Sequence, residues 1–143
     1  MELVQVGSAD AVEAIANRIR RGLPRALVVP FVETLGVLHH ASAGPVLIEV
    51  GVAHRHPDVR VAAIRALQAC RPAGAADAVR GRLGDPAPMV RAAAAVALGA
   101  LRDRDALDPL FRALDRQLYE AAPALASIVQ DTEIPRLTGY LGR

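Results

Sequence analysis

Val59-Arg60-Val61-Ala62-Ala63-Ile64-Arg65-Ala66-Leu67 is echoed by Val90-Arg91-Ala92-Ala93-Ala94-Ala95-Val96-Ala97-Leu98. Each copy follows a turn containing Pro and Asp: His56-Pro57-Asp58 in the first, Asp85-Pro86-Ala87-Pro88 in the second. The interval from Val59 to Val90 falls in the range of roughly 20 to 50 residues that marks a stacked repeat protein. Working outward, Leu35-Gly36, Leu67-Gln68 and Leu98-Gly99 recur at that interval to within one position, each near the end of an apolar helix. A second helix type recurs between these. Its copies are Gly44 to Val50, Ala76 to Leu83 and Asp108 to Leu114, with Pro45, Asp77 and Pro109 evenly spaced. Counting back by the same step reaches Glu13, so the period covers nearly the whole chain.

Each unit therefore reads as a helix pair, a first helix A and a second helix B joined by a short turn. The pairs are expected at about 10–38, 43–70, 73–101 and 104–129, with a half-unit from Thr132 to Leu141, all in one domain spanning 1–143. Asp10 and Glu13 have the spacing of a capping box, while Asp58, Asp85, Asp103 and Asp105 stand where helix-starting acids belong. Val59, Ala62, Ala63, Ala66, Leu67 and Cys70 follow helical spacing and form a buried stripe, matched by Val90, Ala93, Ala94, Ala97, Leu98 and Leu101. Pro30 and Pro123 fall inside B helices and are expected to kink them. The fourth unit is the most diverged, with Leu118-Tyr119-Glu120 where Val-Arg is expected.

Composition agrees with helices. Apolar residues make up 52% of the 143, aromatics only 3%, and alanine dominates. Alanine is the strongest helix former, whereas strands favour β-branched and aromatic residues. All 17 basic residues are Arg, a bias expected of a GC-rich, bacterial genome, and the net charge is only +2. Arg alternates with Asp and Glu along the chain, the pattern of a solvated surface rather than of a basic nucleic-acid face. Cys70 is the one cysteine, so no intramolecular disulfide is possible, and it falls on an apolar stripe. The run Ala26 to Val32 is far too short to span a bilayer, and no basic-then-apolar leader opens the chain. The expectation is a cytoplasmic protein.

The pattern Asp-Pro-x-x-x-Val-Arg-x-x-Ala-x-x-Ala-Leu-Gly-x-Leu of Asp85 to Leu101 resembles HEAT repeats, particularly the short bacterial type named after phycobilisome lyases. The second unit fits nearly as well; the outer two fit in period and apolar pattern only. The resemblance implies an all-α fold, a right-handed α-solenoid of antiparallel helix pairs with A helices convex and B helices concave. It also implies that Arg60 and Arg91, matching the family's Val-Arg position, bond an acid of a neighbouring turn, with Asp58 or Asp85 as candidates.

No residue set converges on chemistry. His39 and His40 precede the second helix A, while His54 and His56 follow it, about 15 Å away across roughly ten helical residues. Zinc ligands must meet within about 2.3 Å of the metal. The family includes the di-iron enzyme deoxyhypusine hydroxylase, but none of these four histidines is followed by the Glu of its ligand pairs. The sequence shows no Ser/His/Asp set, no Cys beside a His and no Gly-rich phosphate loop. Gly22, Gly36, Gly81 and Gly99 read as helix ends or close-packing points. No catalytic residue, cofactor or metal is expected.

Surface is what remains. Between the buried stripes, Val61, Ile64, Arg65 and Gln68, then Ala92, Ala95 and Gly99, are expected to face a groove formed by B helices, flanked by Glu33 and Glu120. The leading expectation is a non-catalytic module, a scaffold or adaptor, that binds another protein through that face. A nucleic-acid-binding solenoid using Arg18, Arg20, Arg21 and Arg25 is the first alternative, weakened by the lack of stacking aromatics. A lyase-like enzyme or enzyme subunit is the second. The terminal half-unit, and the apolar residues of Met1 to Val6, point to a piece of a longer protein.

Overall fold

The computed structural model describes residues 2–130 and 133–141, and every regular element among them is helical. The chain divides into two compact units, Met1–Ala78 and Val79–Arg143.

In the first unit, α1 (Glu2–Arg21) is followed by α2 (Arg25–Leu38) after a turn in which Gly22 has a positive φ. The next helix, α3 (41–51), changes pitch along its length. It starts as a 3₁₀ turn, Ala41–Ala43, continues as an α turn, Gly44–Val46, and ends as a π turn, Leu47–Gly51. α4 (Pro57–Cys70) closes the motif, and α5 (Ala75–Arg80) carries the boundary between the units. α2 packs along α4, and α4 lies on the π turn of α3. The approach is close: a Cβ on Gly51 would stand 2.5 Å from the Ala63 Cβ, and one on Gly36 would stand 3.2 Å from Ala66. Val28, Val32 and Leu35 of α2 are buried in the core with the stripe Val59, Ala63 and Leu67 of α4.

In the second unit, α6 (Pro88–Leu101) is followed by a 3₁₀ turn, Arg104–Ala106, then α7 (Leu107–Asp115), α8 (Ala121–Ile128) and α9 (Ile134–Leu141). α8 packs on both α6 and α7. Val90, Ala94 and Leu98 of α6, Leu110 and Phe111 of α7 and Leu125 of α8 are fully buried. The α2, α4 and α6 helices all end in the same way: His39, Arg71 and Arg102 adopt the left-handed conformation, and each N–H returns to a carbonyl of the last turn. These caps stand at equivalent positions of successive units, so the repeat extends to backbone conformation.

Several expectations change. α1 begins at Glu2, which puts Asp10 and Glu13 in mid-helix, where they cap nothing. Asp85 lies before α6 rather than in its first turn; its buried carboxylate accepts the Ala87 N–H at 2.9 Å. Pro123 is the third residue of α8, where its missing N–H would have had no helical partner, so it starts the helix and does not kink it. Pro30 lies deeper, yet α2 runs unbroken to Leu38, and Thr34 Oγ1 donates to the Pro30 carbonyl at 2.8 Å. Thr132 lies outside the described residues; α9 begins at Ile134.

Candidate functional site

The helices expected to carry the site, α4 and α6, bury one face and leave another in solvent. On α4, Arg65 is exposed, and Val61 and Gln68 are half-buried. Ile64 is 0% exposed, so it is core and not groove. Its repeat counterpart on α6, Ala95, is likewise 0% exposed. Gly99 is also interior, since a Cβ there would meet the Ala124 Cα of α8 at 2.8 Å. The physical reason is that the buried residues of α4 and α6, Val59 to Leu67 and Val90 to Gly99, spread over a wider arc of each helix than a single stripe. Spacing along one helix underestimates that buried arc.

Ala92 is half-buried, and around it lies a face that the spacing argument misses. Met89 and Val96 are 56% and 52% exposed, and Ala92, Ala93 and Ala100 between them are partly exposed. At positions i, i+3, i+4, i+7 and i+11 these share one side of α6. The signal is present in the sequence: Pro88–Leu101 contains a single charge, Arg91, so any solvent face of this helix has to be largely apolar. Glu33 is exposed on α2, and Glu120 is exposed at the start of α8. Glu33 belongs to the first unit and Glu120 to the second.

The two Val-Arg arginines hold turns. Arg60 Nη1 donates to the His54 carbonyl at 2.7 Å, and Arg91 Nη1 donates to the Asp85 carbonyl at 2.7 Å, at the same sequence offset in both cases. Arg91 Nη1 also reaches the Pro86 carbonyl at 3.2 Å. The expected acids are engaged elsewhere as well. Asp58 pairs with Arg25 at 2.6 Å, tying α4 to α2, and Asp85 accepts from Arg82 at 3.4 Å.

The histidines serve backbone turns. His40 Nδ1 accepts the Ser42 N–H at 3.1 Å and lies 2.6 Å from Ser42 Oγ, and His54 Nδ1 accepts the His56 N–H at 3.2 Å. The Ser42–His40 contact looks like half of a catalytic dyad, but both bonds fall on one ring nitrogen two positions away in the chain. That is the geometry of a helix start. His54 titrates below its ordinary value because burial penalises the imidazolium, with the positive charges of His56, Arg25 and Arg55 adding to it. Among the described residues no three His, Cys, Asp or Glu groups gather where a metal could bind. Cys70 is half-buried with Sγ 3.4 Å from the Leu35 carbonyl, and burial pushes its thiol up, away from a reactive thiolate. Of the arginines near the first turn, Arg25 is bound to Asp58, and Arg20 stands 3.9 Å from Glu49. No helix among the described residues is long and apolar enough to cross a membrane.

The family model described as HEAT repeats matches residues 44–137 of the 143. No curated protein matches the sequence.

Proposed function

The chain belongs to the HEAT-repeat family, and from that premise we propose that it is a non-catalytic, cytoplasmic module binding another protein through the exposed faces of its B helices. Repeats of this kind expose extended surfaces and commonly mediate protein–protein contacts. The observation that carries the reading is the uncharged solvent face of α6, Met89-Ala92-Ala93-Val96-Ala100, in a chain that elsewhere alternates Arg with acids. An exposed apolar patch is the usual mark of a partner surface. In the first unit, Arg65, with Val61 and Gln68 beside it on α4, forms a separate and more polar face. The Asp85 to Leu101 pattern supports placing the chain with the short, phycobilisome-lyase-like repeats.

The test uses the immobilised protein, wild type and with Val96→Glu or Arg65→Glu, exposed to a lysate of the source organism. Both side chains are exposed, so melting points should stay within about 2 °C of wild type. A protein retained by the wild type and lost from either variant supports the reading. Retention of the same protein by both folded variants sinks it. Salt-sensitive binding of a labelled nucleic acid, abolished by Arg18→Glu and Arg21→Glu, would favour the alternative instead.

A further inference from the structure

Between the start of α6 and the turn joining α7 to α8, the second unit encloses a cleft of about 510 Å³. That is within the usual range for sites that take small ligands or peptide side chains. Leu83, Pro88 and Leu118 give it apolar walls, and Arg91 and Arg116 both line it. Glu120 is the acid on its border.

The cleft is held open by its own backbone. Gln117, in the left-handed conformation, donates its N–H to the Leu114 carbonyl at 2.9 Å, and the Leu118 N–H reaches the Ala113 carbonyl at 3.0 Å. Across from this turn, Arg91 is pinned by its two Nη1 bonds to Asp85 and Pro86, which among the described residues leaves its Nε and Nη2 donors for another acceptor. Arg116 is exposed, and among the described residues its guanidinium has no acid partner. The C-terminus of α7 alone would favour a cation at Arg116. Arg91 is placed by the turn it holds, but those bonds use only Nη1, so the rest of its guanidinium stands in the same cleft as Arg116. Two guanidiniums beside an apolar wall select a carboxylate carried next to an apolar side chain. Tyr119, 71% exposed at the border, offers an aromatic surface and a hydroxyl to the same occupant.

We propose that this cleft binds a short segment of a partner protein that presents an Asp or Glu side chain beside a large apolar residue. The inference rests on the protein-binding reading above but uses a different surface, so the two can fail separately. The experiment selects random displayed peptides, about a dozen residues long, on the full-length protein, then measures synthetic versions of the enriched sequences by calorimetry. Enriched peptides should place Asp or Glu next to Leu, Ile, Met or Phe. Affinity should fall about tenfold or more on Arg116→Glu, and comparably when the peptide acid is replaced by its amide. Amide resonances of residues 83–91 and 113–120 should move on binding. Arg116→Gln, which removes charge without adding repulsion, should give a smaller loss in the same direction. No enrichment, enrichment without acids, or binding untouched by Arg116→Glu overturns the cleft. Loss on Val96→Glu but not on Arg116→Glu overturns it too, while leaving the B-helix reading in place.

Discussion

Ile64 and Arg65 are neighbours in sequence with opposite environments, because one helical step of about 100° carries a side chain from the interior to solvent. Ile64 is 0% exposed, and Arg65 is exposed. Truncating a buried Ile removes its transfer energy and leaves a cavity, so Ile64→Ala should cost about 2–4 kcal/mol. Arg65→Ala should lie within about 0.5 kcal/mol of wild type, as surface changes do. Urea unfolding of the two variants measures this directly. Equal midpoints would mean that Ile64 is not core. The same contrast shows why spacing alone misplaces Ile64. An apolar residue flanking a stripe is compatible with either a binding surface or a broader core, and only the neighbouring helices decide between them.

At the scale of an element, the glycines of the B helices set how closely the helices pack. Both Gly36 and Gly99 sit near the ends of their helices, and glycine there costs about 1 kcal/mol of helix propensity relative to alanine. On propensity alone, alanine should stabilise both. The surroundings reverse this at Gly99, where the new Cβ would stand 2.8 Å from the Ala124 Cα, a main-chain atom that cannot rotate away. Separating α6 from α8 should cost about 1–3 kcal/mol, so Gly99→Ala should lower the melting point. At Gly36 the contact is 3.2 Å and the two terms nearly cancel, so Gly36→Ala should be close to neutral. Thermal melts followed by circular dichroism check the order; a Gly99→Ala variant more stable than wild type would refute the close approach. The close-packing role is legible in the sequence for Gly36, whereas the spacing also places Gly99 in the groove that the structure denies it. The pitch changes of α3 are not legible, and neither is the close approach of Gly51, at the end of its π turn, to Ala63 of α4.

For the whole molecule, the repeat, the all-helical class and most of the buried stripes, though not Ala93, which lies partly exposed on α6, are readable because a sequence period and helical spacing are local patterns. The apolar face of α6 and the cleft beside it escape that reading, since they depend on which arc of each helix its neighbours leave uncovered. Among the described residues, burial at His54 and Cys70 and an ion pair at Asp58, all in the first unit, make stability depend on pH. His54 is harder to protonate when folded than its ordinary 6.5, so below that pH the unfolded chain takes up a proton that the fold resists, and stability falls. Asp58 is held below its ordinary 3.8, first by its bond to the Arg25 guanidinium. That contribution is present above about pH 4 and is lost as pH falls through the lowered value. It is small, because both partners are about half exposed. Cys70 is raised above its ordinary 9.0 by burial, so above that pH the unfolded chain releases a proton that the fold retains, and stability falls again. The melting temperature should therefore be highest between about pH 6.5 and 9, with a first decline below about pH 6.5 that belongs to His54. His54→Asn removes the titrating ring while leaving a side chain able to accept the His56 N–H, and should flatten the profile between about pH 7 and 5. Melts at closely spaced pH values decide it. A decline in that window that persists unchanged in His54→Asn would assign it to another group and break the link drawn from the burial of His54.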